Sequence, residues 1–305
     1  IYEMMARDIA LLRKAAKLIP SATIKGMVDI DMVLNELWDV TREEMNFLTE
    51  AANMEEFAKK NEGISFVGTP VLYQEYTTLH VLVMEYIDGF EVDDKTALLE
   101  NGYDLKEIGS KLADNYMKQI IEDGFFHADP HPGNLRIRDG KIIWIDMGMM
   151  GRLTERDREQ IAKAVRGVAA NDIGMIQDAV MILGEFKEPP DPSRLYEDIN
   201  NLLSKYGRVD MGNIDVAAIT MDLMDVMKEN GIIMPHGLTM LARGLTHMEG
   251  VLAEISPEIN MVEIAAGRIK ESLLKNFDWK KELKSSGKSF DRAFHRALDI
   301  PTLVA

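Results

Sequence analysis

Apolar residues recur at three- and four-residue spacing through Met5, Ile9, Leu12, Ala16 and Ile19, which predicts an amphipathic helix over residues 2–19 that Pro20 ends. Residues 30–60 read as helical again, first Met32–Trp38 and then Glu43–Lys59, with Gly63 breaking the pattern. Three β-like runs follow: Ile64–Val67, Val71–Tyr73 and Leu79–Tyr86. The last is nearly continuous apolar sequence, as expected of a buried strand. Ile87-Asp88-Gly89 is a turn signal and marks the expected boundary between two parts of the chain.

Beyond that boundary Asp104, with Glu107 three residues on, predicts the capped start of a helix that runs to about Asp123 and stops at Gly124. A turn-rich segment leads into a hairpin, Leu135–Arg138 and Lys141–Ile145, whose Asp139-Gly140 turn is a strong local signal. Thr154 and Asp157 open another helix, and everything from there to Ala297 reads helical, broken at Asn171-Asp172, Pro189–Pro192, Gly212, Gly231, Pro235 and Pro257. There is no internal repeat. The order fits an α+β protein in two lobes, 1–87 and 88–305, better than a doubly wound sheet, because strand–helix alternation does not continue.

Composition narrows the chemistry. The 305 residues are 46% hydrophobic and 28% charged, an ordinary globular balance. A net charge of −16 argues against nucleic acid as a partner. The absence of cysteine removes disulfides, thiolate metal sites and thiol nucleophiles together. The charge is uneven: Arg268–Arg296 holds nine Lys/Arg against Glu271, Asp278, Glu282 and Asp291, a balance of +5 that leaves −21 elsewhere. With Phe277, Trp279, Phe290 and Phe294 interleaved, that stretch has the composition of a membrane-surface segment, although solvated helix faces give the same pattern. No run reaches the roughly 18 apolar residues of a spanning helix. The sequence opens on Ile1 and closes on Ile300–Ala305 without a polar tail, and is expected to be a piece of a longer chain.

The densest polar chemistry is Phe126-His127-Ala128-Asp129-Pro130-His131-Pro132-Gly133-Asn134, with Asp146-Met147-Gly148 following the apolar strand Ile142–Ile145. The hairpin between them would bring Asp146 back beside the loop. Two carboxylates and an amide oxygen, without Cys, suit a hard cation such as Mg²⁺ shared with substrate phosphates. The spacing also matches a kinase catalytic loop, in which an Asp accepts the hydroxyl proton and an Asn holds metal. His127 and His131 offer an alternative metal pair, but two prolines in the loop make zinc the weaker choice.

Gly124–Leu135 followed by Ile145–Leu153 resembles the UbiB/ADCK family of atypical kinases, and the similarity runs over nearly the whole chain. Val83–Gly89 resembles that family's strand-to-hinge segment, Glu44–Met54 its αC region, and Met234-Pro235, Ala242-Arg243-Gly244 and Glu249–Leu252 its helical extension. The resemblance implies a protein-kinase-like bilobal fold, here a truncated N-lobe and a mostly helical C-lobe. It implies ATP and Mg²⁺ as cofactors, with phosphoryl transfer or ATP hydrolysis supporting ubiquinone or isoprenoid-lipid metabolism. The full-length protein would sit at the cytoplasmic face of a membrane, with a quinone-type lipid or lipid-synthesis proteins as partners.

Carried over residue by residue, Asp129 would be the catalytic aspartate, with Asn134 and Asp146 as Mg²⁺ ligands. His131 would stand where protein kinases place a phosphate-touching lysine. Glu50 would be the αC glutamate that pairs with the ATP-phosphate lysine, and Glu44 the first residue of the family's Glu-x-Asp motif. The backbone of Met84, Glu85, Tyr86 and Ile87 would hydrogen-bond adenine. Asn46 departs from that Glu-x-Asp motif, and Met147 from the usual Phe between Asp146 and Gly148. The family's phosphate-binding lysine and nucleotide loop are expected before Ile1, and hydrophobic helices after Ala305. Arg243 and Glu249, six apart, are expected to bridge beneath the site. Two other readings stand beside this one: an aminoglycoside- or choline-kinase-like small-molecule kinase, and a non-catalytic nucleotide-responsive scaffold.

Overall fold

The computed structural model describes residues 2–18, 34, 46–206 and 216–276. In chain order the elements are α1 (Tyr2–Leu18), α2 (Phe47–Lys60), β1 (Val67–Gly68), β2 (Phe90–Glu91), α3 (Lys95–Glu100), α4 (Leu105–Lys118), β3 (Phe125–His127), β4 (Leu135–Arg138), β5 (Lys141–Trp144) and β6 (Met150–Arg152). Six helices follow: α5 (Glu155–Ala170), α6 (Ile173–Leu183), α7 (Pro192–Tyr206), α8 (Val216–Glu229), α9 (His236–Ile255) and α10 (Met261–Asn276). The fold is mixed, with helices dominant. It divides into two compact units, Ile1–Glu91 with Gly133–Met150, and Val92–Pro132 with Gly151–Ala305. A single cut at 87/88 assigns β4 and β5 to the second part. The chain returns them to the first, because they are the central strands of its sheet.

That first sheet runs β1-β5-β4-β2, with β1 parallel to β5 and the other pairs antiparallel. The β4–β5 turn has the form the sequence predicts, since Asp139 (φ 52°) and Gly140 (φ 73°) both take the left-handed backbone of a tight hairpin. Helix α2 starts at Asn46, whose side chain accepts from the Leu48 amide at 3.2 Å. The residue that departs from the family motif therefore serves as a helix cap. The helix buries Ala51, Met54 and Phe57, spaced by three, and Phe57 packs on Trp144 of β5 with ring centroids 5.7 Å apart.

The β-like runs before residue 87 form less strand than expected. Ile64–Val67 contributes only the start of β1, and Val71–Tyr73 and Leu79–Tyr86 meet at an isolated bridge, Leu72 to Met84. Val81 is 51% exposed and Tyr86 86% exposed. The apolar run is not a buried strand, because the described neighbours cover it only at single pairings. Met32–Trp38, apart from the buried Leu34, and residues 35–45 lie outside the described residues, as does Glu44.

The second unit is almost wholly helical. Asp104 caps α4 by accepting from Lys106 and Glu107 amides, while the Glu107 carboxylate pairs with Lys111 instead of returning to the cap. After a π-turn over Gln119–Asp123, Gly124 (φ 59°) ends the helix, and β3 pairs with β6. Thr154 and Asp157 form a reciprocal capping box at the start of α5. Asn171 (φ 51°) ends α5 and Asp172 caps α6, so the two predicted breakers are a paired stop and start. Ile176, Val180, Leu195, Ile199, Leu203, Met227 and Ile232 form a core among α6, α7 and α8. Helix α9 begins after Pro235 and ends at Ser256, before Pro257. Gly212 and most of the basic stretch fall outside the described residues.

Candidate active site

In the first unit the β4–β5 hairpin sets the geometry. Leu135 pairs with Trp144, and the Ile145 amide donates to the Asn134 carbonyl at 3.0 Å, so Asn134 and Asp146 both leave the open end of one ladder. Asp146 Oδ1 accepts from the Gly148 amide at 2.8 Å, which closes the Asp146-Met147-Gly148 turn. Met147 fills the core completely, and its carbonyl accepts from Asn53 Nδ2 of α2 at 2.9 Å. A soft, unbranched side chain thus occupies the place expected for Phe.

Glu50 of α2 reaches the same turn. Burial first, and then the neighbouring Asp146 carboxylate, push its carboxyl up from 4.5 to about 7, while the Met147 amide opposes them. The neighbour found here is a second carboxyl, that of Asp146. Among the described residues no group of three or more His, Asp or Glu side chains is arranged to hold a metal ion alone. The donor set still fits Mg²⁺, because Asp146, Asn134 and Glu50 offer only hard oxygens and a carboxyl pair that a cation would relieve.

The hinge-like segment lies in this unit too. The Glu85 amide donates to Val71 O at 2.8 Å, and its carboxylate accepts from the Val71 amide and from Arg138 at 2.8 Å. Those bonds, Val71 first, hold the Glu85 carboxyl below its ordinary value. Glu85 is therefore a brace, with its amide already committed. Met84, Glu85, Tyr86 and Ile87, with Asp88, Gly89 and Ile145, line a cavity of about 450 Å³. Gly89 is required there, since a Cβ would stand 2.7 Å from the Ile137 carbonyl oxygen.

The second unit holds Asp129 and His131. His127 is fully buried and acts as a loop brace: its amide donates to Gln119 Oε1, its carbonyl accepts from Tyr116 Oη at 3.0 Å, and its Nδ1 accepts from the Asp129 amide at 3.1 Å. The His127–His131 metal pair has no support in this arrangement. The exposed His131 donates its amide to the Asp129 carbonyl at 2.8 Å.

Helix α9 supplies what the sequence reading missed. His247 Nδ1 stands 2.5 Å from Asp129 Oδ1, and Arg243 Nη2 stands 3.4 Å from Asp129 Oδ2. Arg243 is half exposed and reaches Asp129. A four-residue spacing of Arg and His on one helix was the available signal.

A family model for the ABC1 atypical kinase-like domain matches residues 1–180. The chain belongs to that family. A second model, the UbiB helical domain, matches residues 199–260, which include α9. A protein from the hydrogenase 1 5′ region of Clostridium pasteurianum is 35% identical over 92% of this chain and 53% of its own length. ACTIVITY OF BC1 COMPLEX KINASE 8, a chloroplastic protein of Arabidopsis thaliana, is 30% identical over 76% of this chain and 35% of its own length. The chain thus spans about half or less of these curated relatives. The Mycobacterium tuberculosis protein Rv3197, solved with erythromycin, is similar with a TM-score of 0.59 at 16% identity, covering 87% of this chain and 67% of the other. That likeness concerns the fold.

Proposed function

We propose that this ABC1-family chain carries the ATP-handling centre of a Mg²⁺-dependent phosphotransferase or ATPase of the UbiB type, bilobal in the manner of protein kinases. The observation that carries this reading lies within the first unit. A cavity lined by Met84–Gly89 and Ile145 adjoins the turn on which the Asp146 carboxylate meets Glu50. Its size suits the flat, partly polar ring of a nucleotide base, and the carboxylates suit the phosphate end with its cation.

In this reading the cavity walls orient the base, and the Gly148 amide fixes the rotamer of Asp146 for the phosphate side. Asp146 and Asn134 would hold Mg²⁺, which when bound offsets charge on the phosphates. Asp129 accepts the proton of the attacking hydroxyl or water. His131, exposed on the loop, would donate to the transferred phosphate. The acceptor is an isoprenoid- or quinone-related lipid, or water. The basic, aromatic-interleaved stretch that begins near Arg268 would bring the full-length protein to the cytoplasmic surface of an anionic membrane.

The test is phosphate release from Mg-ATP by the natural full-length protein and by Asp129→Asn. Turnover lost in the variant, with nucleotide binding retained, supports the reading. Equal release by both proteins contradicts it.

A further inference from the structure

We infer that Arg243 and His247 are positioning residues for the Asp129 carboxylate, so that the helical region matched as the UbiB helical domain is a working part of the catalytic centre. The inference rests on the reading above in which Asp129 accepts a proton.

Residues 243 and 247 are one turn apart on α9 and share a face. Between them is Gly244, where the helix runs close against the loop. A Cβ there would lie 2.2 Å from Tyr116 Oη, 3.0 Å from the His127 carbonyl oxygen and 3.4 Å from Ala128 Cα. The missing side chain lets the backbone of α9 dock directly beside the two residues that precede Asp129. Tyr116 fastens the same point from α4, its hydroxyl donating to His127 O at 3.0 Å. Burial pushes that phenol well above its ordinary value, so it stays a donor.

On this platform each carboxylate oxygen of Asp129 has its own neighbour. Oδ1 faces His247 Nδ1 at 2.5 Å, with both atoms closed to solvent and the approach too poorly aligned to count as a formed hydrogen bond. Oδ2 faces Arg243 Nη2 at 3.4 Å. A carboxylate only accepts, so a hydrogen bond across this contact needs the proton on Nδ1 of His247. Neighbours on different oxygens constrain both the position and the plane of the carboxylate. Its four lone-pair sites leave room for the hydroxyl that it must receive. A base oriented by a further group is the general arrangement by which such side chains are made ready. The 3.4 Å arginine contact at 49% exposure contributes orientation more than stability.

The experiment uses the full-length protein and four variants: His247→Ala, His247→Asn, Arg243→Ala and Asp129→Asn. Asparagine places an N–H near the position of Nδ1, so it restores the donor without the ring. His247→Ala is expected to lower kcat for Mg-ATP turnover by about tenfold or more, with KM and ADP-induced thermal stabilisation unchanged. His247→Asn should recover most of the loss, and Arg243→Ala should show a smaller one. Wild-type kcat in His247→Ala would overturn the inference, as would an Asn variant no better than Ala.

A second readout does not depend on turnover. The side-chain ¹⁵N resonance of His247 Nδ1 should move in Asp129→Asn while those of the other histidines far from the loop stay in place. An unmoved His247 signal overturns the inference, whatever the enzyme does. Absent wild-type turnover together with a moved signal would count against the proposed function and support the positioning contact.

Discussion

The carboxyl of Glu50 on α2 is hydrogen-bonded to the carboxyl of Asp146 at the end of the β4–β5 hairpin, and burial together with that neighbour raises Glu50 to about 7. The two side chains come from segments far apart in the chain, and the contact ties the helix to the turn. Because the folded value lies above the ordinary 4.5, Glu50 resists ionisation in the folded state. Its contribution to stability is complete below about pH 4.5 and is lost as pH rises through 7.

Glu50→Gln removes that loss. The melting temperature of the variant relative to the parent should rise between pH 5 and pH 8, and the difference should level off above the folded value. Paired thermal scans across that range check it. A difference that stays constant with pH would contradict the carboxyl pair. Solvent reaches part of this site, so the gain is modest.

Gly244→Ala forces a Cβ to within 2.2 Å of Tyr116 Oη and 3.0 Å of His127 O. The expected cost is about 1–3 kcal/mol by urea unfolding. Tyr116→Phe removes the nearer of these atoms, so the same Gly244→Ala change should cost less in that background. Equal costs in both backgrounds would mean that the helix does not approach the loop at this point.

Asn53→Ala leaves the Met147 carbonyl without its 2.9 Å donor in a buried position. The loss should be about 1–3 kcal/mol in urea unfolding. Because Met147 separates Asp146 from Gly148, the variant should also weaken Mg²⁺-dependent nucleotide stabilisation. Asn53→Asp should not restore it, since a carboxylate cannot donate.

Local chemistry was readable from the chain where the structure is local. Thr154 with Asp157, Asp139-Gly140, Gly124 and Asn171-Asp172 each perform the stop, start or turn that their side chains or backbone freedom predict. The hairpin that carries Asn134 and Asp146 belongs to this class. Leu79–Tyr86 does not, because an apolar run states only that burial would be favourable, and partners elsewhere decide whether a strand forms. His247 was invisible for a related reason. The four-residue spacing of Arg243 and His247 marks a shared helix face but names no partner, and their role depends on Gly244 allowing α9 to dock against a loop 114 residues of chain away. The partner of Glu50 is likewise a tertiary fact, set by how α2 packs on the hairpin.

A nucleotide centre on Asp146 is tested by thermal stabilisation of the natural full-length protein by ATP and by ADP, with and without Mg²⁺, beside Asp146→Asn. Nucleotide at a hundredfold excess over Kd should stabilise by about 2.7 kcal/mol. A Mg²⁺-dependent shift in the wild type that disappears in Asp146→Asn is the result predicted here. No shift with either nucleotide, or the same shift in the variant, would contradict a nucleotide centre built on Asp146.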